Sequence, residues 1–394
     1  MQHDDPGFAT RCVWGGEEGD KWERSTQVPV VHSVSFGYAS VEEWLDVARG
    51  ARTGHIYSRN TNPTVRAFEE KVRALEDAEA ATSFATGMAA VSNTLFGLLA
   101  PGRRVVAPRD SYGGTSRVFL EFLPKFGVET VLCETTDHEQ IEAEVAKGCD
   151  LLYMESPTNP TLKVVDLARL ARAARAAGAL SVVDNTFATP INQNPLALGV
   201  DLVIHSATKF LGGHADALGG ALCGPEDLVR QVFGFREING AALSPMAAYL
   251  LLRGMKTLHL RVARQNESAL RIARFLSERP EVEAVFYPGL PSHVNHETAR
   301  RQMRGFGGVL SFALRAGLDG ARKLLPRLRY AHMAANLGAV ETLVGIAATT
   351  SHVECTPEQM EALGIPPGLI RYSVGIEDPD DLIADLTDAL ETVV

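Results

Sequence analysis

Lys209 stands in the middle of Val203-Ile-His-Ser-Ala-Thr-Lys-Phe-Leu-Gly-Gly-His214, a stretch that opens apolar and ends polar. Leu202, Val203 and Ile204 read as the end of a buried strand behind the turn-like Gly199-Val200-Asp201. A lysine at a strand's exit into a glycine-bearing loop is either a surface lysine beside that loop or an amine held in a pocket. In a pocket, partial desolvation weakens its grip on the proton and makes it a nucleophile toward carbonyls. Ser206 and Thr208, within three residues of it, offer hydroxyls to an anion such as a phosphate ester.

Leu180-Ser-Val-Val-Asp-Asn-Thr-Phe187 is a second apolar strand and ends on Asp184. A carboxylate deep in a pocket needs a cationic partner, and a protonated pyridine nitrogen is one. Pyridoxal 5'-phosphate asks three things of a protein: a lysine for a Schiff base, an acid at the pyridinium nitrogen and donors for the phosphate. Asp184, Ser206, Thr208 and Lys209 supply all three within about 25 positions. That separation suits neighbouring strand-end loops of an α/β sheet.

Ser206-Ala-Thr-Lys-Phe-Leu-Gly-Gly-His-Ala-Asp216 resembles the cofactor-lysine signature of the Cys/Met-metabolism family of pyridoxal-phosphate enzymes. That family includes cystathionine γ-synthase, cystathionine γ-lyase, methionine γ-lyase and the homoserine-ester sulfhydrylases. The resemblance runs from Tyr57 to Val394. It implies a fold type I α/β protein, with a mostly parallel sheet in the large domain and a smaller α/β C-terminal domain. It gives Lys209 the cofactor aldehyde and a proton-shuttling role, and Asp184 the pyridine nitrogen.

Other motifs join this set. Ala81-Thr-Ser-Phe-Ala-Thr-Gly-Met-Ala-Ala90 leads into an apolar helix through Leu99. The free N–H groups of its first turn form a phosphate site, although many helices start this way and bind nothing. The stretch resembles the family's Ser-Gly-Met-Ala pattern with Thr86 in place of Ser, which assigns the backbone of Gly87 and Met88 to the phosphate. Tyr112, in Asp110-Ser-Tyr-Gly-Gly-Thr-Ser-Arg117, can lay its ring on an aromatic cofactor or stand in a turn with its hydroxyl in water. The resemblance gives it stacking and a part in proton transfer, and adds Arg117 at a substrate's distal end. Methionine-cleaving members typically carry cysteine where Gly114 stands, which points away from a pure methionine γ-lyase.

In Leu151-Leu-Tyr-Met-Glu-Ser-Pro-Thr-Asn-Pro160 a strand runs into a turn whose exit is fixed by Pro157 and Pro160. Glu155 and Asn159 are turn-forming polar residues or, by likeness, neighbours of the cofactor and substrate. Arg371, among apolar neighbours in Leu369-Ile-Arg-Tyr-Ser-Val-Gly375, needs an anion: a structural carboxylate or a substrate's α-carboxylate. The family uses the matching arginine for the substrate. Asn336 stands where the family usually has serine, Ala339 where it has glycine, and Ala335 where cystathionine enzymes carry an acid. Side-chain specificity is therefore expected to be broad. Tyr57 and Arg59, in His55-Ile-Tyr-Ser-Arg-Asn-Thr-Asn-Pro-Thr64, suit phosphate binding, and the resemblance sends them to a neighbouring subunit's phosphate.

The elements that must position these groups follow from periodicity. Helices are expected over Pro63–Ala78, Val165–Ala177, Ser244–Leu276, Gly320–Leu328 and Asp378–Val394. Strands are expected at Arg103–Pro108, Gly308–Leu314 and Leu369–Val374 besides those above. Alternating strands and helices imply a mostly parallel sheet covered on both faces. The division is an N-terminal arm (1–60) contacting the neighbouring subunit, a large cofactor-binding domain (61–256) and a C-terminal small domain (257–394). Arg253, Lys256, Arg261 and Arg264, between apolar residues of the long helical region, read as a solvated face.

Composition narrows the function. The chain has 394 residues, a net charge of −10, 45% hydrophobic and 22% charged residues. It lacks the basic footprint of a nucleic-acid or anionic-membrane binder, and it has no apolar run long enough to span a bilayer. With no leader visible, the expected location is the cytoplasm. Cys12, Cys133, Cys149, Cys223 and Cys355 are scattered and read as reduced thiols. His293 and His296 read as a turn rather than a metal pair, and no metal is expected. The expected activity is γ-elimination on a sulfur amino acid, as in cystathionine cleavage to cysteine, 2-oxobutanoate and ammonia. The alternatives are γ-replacement on an activated homoserine, methionine γ-lyase activity, or a non-catalytic scaffold. The expected assembly is a homotetramer, a dimer of dimers with composite sites.

Overall fold

The computed structural model describes residues 6–17, 24–350, 353 and 356–393. Seven strands build the larger sheet: β1 (Ala80–Phe84), β2 (Arg104–Pro108), β3 (Glu129–Cys133), β4 (Leu151–Glu155), β5 (Leu180–Asp184), β6 (Leu202–Ser206) and β7 (Gly220–Gly224). Their order is β1-β7-β6-β5-β4-β2-β3. The run from β6 to β3 is parallel, and β7 runs antiparallel to both its neighbours. Apolar side chains alternate to the two faces. Val183 and Val203 pack with helices Pro63–Glu76 and Leu167–Ala176, while Val182 and Ile204 pack with helices Gly87–Leu98 and Glu226–Asn239. Both faces are thus covered, as a mainly parallel sheet requires.

The smaller sheet has β8 (Val282–Phe286), β9 (Val309–Leu314), β10 (His332–Met333), β11 (Leu343–Ile346) and β12 (Ile370–Ser373), in the order β10-β11-β12-β9-β8. It is antiparallel apart from the β10–β11 pair. Its core of Phe312, Ile370, Tyr372 and Leu386 is separate from the two cores of the larger sheet.

Two expectations change. The helical region around 244–276 is two helices, Pro245–Met255 and Leu258–Ser277. The break falls where a Cβ on Gly254 would strike the carbonyl of Gly212, so the first helix ends against the loop that follows Lys209. Arg261 is not on a solvated face: it is 4% exposed. Its guanidinium donates to the carbonyls of Phe210 (2.8 Å), Leu211 (3.3 Å) and Gly254 (2.8 Å). Buried loop carbonyls need donors, and a long cation reaching from a neighbouring helix supplies them. Residues 6–17 also bind their own chain. Lys71 donates to the carbonyls of Cys12 and Val13 at 3.0 Å, and Glu17 bridges Lys71 (2.5 Å) and Lys256 (2.7 Å).

Further along the same segment, helix Val41–Ala48 is capped by Ser40, which accepts from the Glu43 N–H. It buries no residue, and Val41 and Trp44 are mostly exposed. At the C-terminus, Asp378 caps helix Pro379–Leu390 by accepting from Asp380 N–H at 2.9 Å. Among the described residues no helix is long and apolar enough to cross a membrane. Cys12, Cys133, Cys149 and Cys223 are buried free thiols, and Cys355 lies outside the described residues.

Candidate active site

Glu155, Asp184 and Ser206 are the last residues of β4, β5 and β6, and all three face one cavity of about 250 Å³. The carboxyl ends of adjacent parallel strands are where α/β sheets bind ligands. Asp184 is registered directly against Glu155 across the β4–β5 pair. Burial raises the affinity of both carboxyls for a proton, and for Glu155 the charge of Asp184 adds to this. Two neighbouring enclosed acids do not ionise together at neutral pH unless a cation joins them. Asp184 Oδ1 accepts from the Thr186 N–H at 2.9 Å, which, with the nearby charge of His205, opposes the upward shift.

Thr186 also accepts from the Ser206 N–H at 2.8 Å, so one hydroxyl joins the ends of β5 and β6. Thr186 was not among the residues singled out from sequence; its signal was a threonine two positions after a strand-end acid.

The twelve-residue helix Gly87–Leu98 points its first turn into the same cavity. Thr86 caps it, accepting from the Ala89 N–H at 3.0 Å. The N–H groups ahead of that bond have no partner within the helix. A Cβ on Gly87 would fall 2.6 Å from both the Cβ and Oγ of Ser206, so glycine is needed for the helix end to approach the strand end. Thr208 adds a hydroxyl, fixed by Gly219 through bonds of 3.0 and 3.3 Å.

Lys209 lies in the turn beyond β6 and reaches the side-chain oxygen of Asn336 at 2.6 Å. Burial, helped by the charge of Arg371, lowers its pKa to about 8. Arg371 comes from β12 of the smaller sheet and is 6% exposed. Its Nη1 donates to Asn159 Oδ1 and its Nη2 to the Asn336 carbonyl, each at 3.1 Å. Both acceptors are neutral, and burial brings this guanidinium down to about 10. Tyr112 stands at the cavity mouth, 44% exposed, with its N–H bonded to Glu155 Oε2 at 2.8 Å.

Not every candidate lies here. Tyr57 and Arg59 are exposed and do not line this chain's cavity. The Arg59 guanidinium donates to the Glu237 carbonyl at 2.7 Å and stacks over the Tyr57 ring. Arg117 also lies outside the cavity and pairs with Glu121 at 3.1 Å. His293 Nδ1 accepts from the Asn295 N–H, while His296 Nδ1 meets the Pro288 carbonyl. Burial lowers His293 to about 4. The described residues contain no group of three or more potential metal ligands. Thr115, Phe187, Leu218 and Thr350 line the cavity without having been anticipated.

The cavity thus offers what a phosphorylated aromatic aldehyde that reacts with amines would need: an amine poised to lose its proton, an enclosed carboxylate and a helix N-terminus ringed with hydroxyls. The cradle at Gly87, which a Cβ would fill, fits a phosphate, and the arrangement is that of a pyridoxal-phosphate-dependent enzyme. The chain belongs to the Cys/Met metabolism PLP-dependent enzyme family, whose model matches residues 9–391.

It is 40% identical to cystathionine gamma-synthase of Mycobacterium leprae over 98% of both chains. It is 39% identical to L-methionine gamma-lyase of Fusobacterium nucleatum subsp. polymorphum over 93% of both. Against chloroplastic cystathionine gamma-synthase 1 of Arabidopsis thaliana, identity is 41% over 93% of this chain, which spans 65% of that protein. Among solved structures, cystathionine gamma synthase from Xanthomonas oryzae pv. oryzae in complex with cystathionine superposes with a TM-score of 0.93 and 36% identity, covering 98% of each chain. Cystathionine gamma-lyase from Lactobacillus plantarum complexed with L-serine gives 0.92 and 35%, covering 98% of this chain and 99% of that one.

Proposed function

We propose that this enzyme acts at Cγ of a sulfur amino acid, with γ-elimination in the manner of a cystathionine γ-lyase as its principal reaction. The observation that carries the amino-acid substrate is Arg371, a guanidinium in the cavity whose hydrogen-bond acceptors are two neutral amide oxygens. A substrate α-carboxylate gives its fork a charged partner. Lys209 shares Asn336 with it, so amine and guanidinium stand at a fixed spacing.

In this reading Lys209, Asp184, Ser206, Thr208 and the backbone of Gly87 and Met88 hold the cofactor, with Tyr112 laid against its ring. Bound there, pyridoxal phosphate supplies a carbonyl for the amine and an electron sink that acidifies the substrate's Cα proton. Lys209, easily deprotonated, takes that proton and returns it elsewhere. Once the Cα and one Cβ proton are removed, the Cγ–S bond breaks with its electron pair on sulfur. Cystathionine and water thus give cysteine, 2-oxobutanoate and ammonia. Asn159 and Asn336 orient Arg371 beside the substrate. Arg117 is assigned to the distal end of a long substrate.

Gly114 supports a substrate other than methionine. A Cβ there would fall 2.9 Å from the Tyr112 ring and 3.0 Å from Met88 Sδ, so the space that methionine-cleaving members give to cysteine is filled. A second reading is γ-replacement on an activated homoserine, the activity class of a cystathionine gamma-synthase 40% identical over 98% of both chains, a likeness that an L-methionine gamma-lyase of Pseudomonas putida shares to the same extent. Tyr57 and Arg59 are read as phosphate ligands of a neighbouring subunit, in dimers that pair into tetramers in the cytoplasm. The exposed Val41 and Trp44 give that arm an apolar face to bury. With it go the divisions 1–60, 61–256 and 257–394.

The test is a panel of cystathionine, methionine, homocysteine, cysteine and O-acyl homoserines, the last with and without a thiol. Release of 2-oxo acid from cystathionine, faster than thioether formation from the esters, is the expected result. The reverse order establishes the second reading.

A further inference from the structure

Glu155 lines the cavity, yet its carboxyl is fully engaged by backbone. Its Oε2 accepts from the Tyr112 N–H at 2.8 Å and its Oε1 from the Asn159 N–H at 3.3 Å, and the residue is only 4% exposed. The two N–H groups come from different loops, the exit of β2 and the exit of β4. Asn159 then passes its side-chain oxygen to Arg371 Nη1 at 3.1 Å. From Arg371 the hydrogen bonds continue through the Asn336 carbonyl, and that residue's side chain meets Lys209. Glu155 is the node at which the ring-bearing loop and this chain of contacts meet.

We propose that Glu155 is a positioning residue rather than a substrate ligand: its two carboxyl oxygens set the Tyr112 ring against the cofactor plane and the Asn159–Arg371 pair against the substrate carboxylate at the same time. A carboxyl that spans two loops fixes their separation through directional bonds, one to a backbone N–H of each loop. Loss of one end alone moves a ring, and loss of the other alone moves a guanidinium. An alanine releases both, whereas a glutamine keeps one N–H acceptor and offers the second N–H only another donor. This inference rests on the reading of the cavity given above.

The test compares Glu155→Ala and Glu155→Gln with wild type as full-length purified protein. Three quantities are read: pyridoxal-phosphate affinity by titration of the apoprotein, kcat and KM on the fastest substrate, and amide hydrogen exchange in apoprotein peptides carrying Tyr112 and Asn159. For Glu155→Ala the expected results are a cofactor Kd about 10- to 100-fold higher and a KM about tenfold higher. Both amides should exchange faster, and the limbs of the kcat pH profile should stay in place. Glu155→Gln should fall between, and it carries the comparison if the alanine variant does not fold. The inference is overturned if both variants keep cofactor affinity and KM within about twofold of wild type. It is also overturned if Glu155→Gln loses kcat alone together with one limb of its pH profile, which marks a group acting on the substrate. A wild-type protein that takes up no pyridoxal phosphate overturns the reading of the cavity and this inference with it.

Discussion

Lys209, in the turn beyond β6 of the larger sheet, and Arg371, on β12 of the smaller one and 162 positions on in the chain, are joined through a single residue. The Asn336 side chain accepts from the amine and its carbonyl accepts from the guanidinium. Two cations held this way keep the amine's pKa near 8, because burial and the neighbouring positive charge both favour the neutral form. The apoprotein should therefore take up pyridoxal phosphate through Lys209 at a rate rising about tenfold per unit below that pH and levelling above it. Stopped-flow reconstitution, with borohydride trapping and mass spectrometry of the modified peptide, measures this. A rate still rising steeply past pH 10 contradicts the lowered value. The sign for stability is also fixed. The unfolded lysine holds its proton to higher pH than the folded one, so this group's contribution to apoprotein stability grows as pH rises from about 8 toward the ordinary lysine range.

Arg371→Lys exchanges a two-pronged donor for a point charge. It should raise KM by about 10- to 100-fold, as expected for one charge-assisted hydrogen bond lost. The visible spectrum of the bound cofactor should survive. An unchanged KM makes Arg371 a structural cation.

Gly87→Ala places a methyl group on Ser206, 2.6 Å from its Cβ and Oγ. Helix and strand must part at the end read as the phosphate cradle. Cofactor affinity should fall by about tenfold or more, while kcat at saturating cofactor changes less. Equilibrium titration of the variant decides the matter, and retained affinity places the phosphate elsewhere.

Arg59→Ala and Lys209→Ala test the proposed sharing of sites between subunits. Each variant alone should be impaired, the first in holding cofactor and the second in chemistry. Co-refolded hybrids contain one site with both residues intact, so activity at limiting cofactor should exceed that of either parent. If verified hybrids give only the parental average, the site is built within one chain.

Asn336→Ser should lower kcat/KM for cystathionine, homocysteine and O-acyl homoserines by similar factors, and more than it changes cofactor affinity, because Asn336 touches the two groups proposed to meet the amino acid's common end. Ratios that shift strongly among these substrates place Asn336 against the side chain instead.

Much of this site is local in sequence and was legible for that reason. Apolar runs ending in Asp184, in Ser206 and in Glu155 announce strands and place polar groups at their exits. The strands built of small residues were not legible. Ala80–Phe84 and Gly220–Gly224 carry little β-branched character, since a helix start packs on them: a Cβ on Gly220 would meet the carbonyl of Thr86. The burial of Arg261 was equally hidden, because two of its three carbonyl acceptors lie about 50 positions away. The Asn159–Arg371 bond joins residues 212 positions apart. The proposed place of Tyr57 and Arg59 against a partner subunit is not a property of one chain's periodicity at all.

Helix Leu258–Ser277 begins in the core of the larger sheet, where Leu258 and Val262 pack, and ends in that of the smaller, where Ile272 and Leu276 pack. It is about 30 Å long and works as a lever whose near end, through Arg261, grips the carbonyls of the two residues following Lys209. The jaw it governs has an amine on one side and Arg371 on the other. Any swing of the smaller sheet alters the gap between them and, through the same lever, tugs on the loop that carries the amine. On the proposed reading a substrate's α-carboxylate enters that gap on the Arg371 side, so a molecule lacking it should leave the two sides unbridged, whatever its side chain.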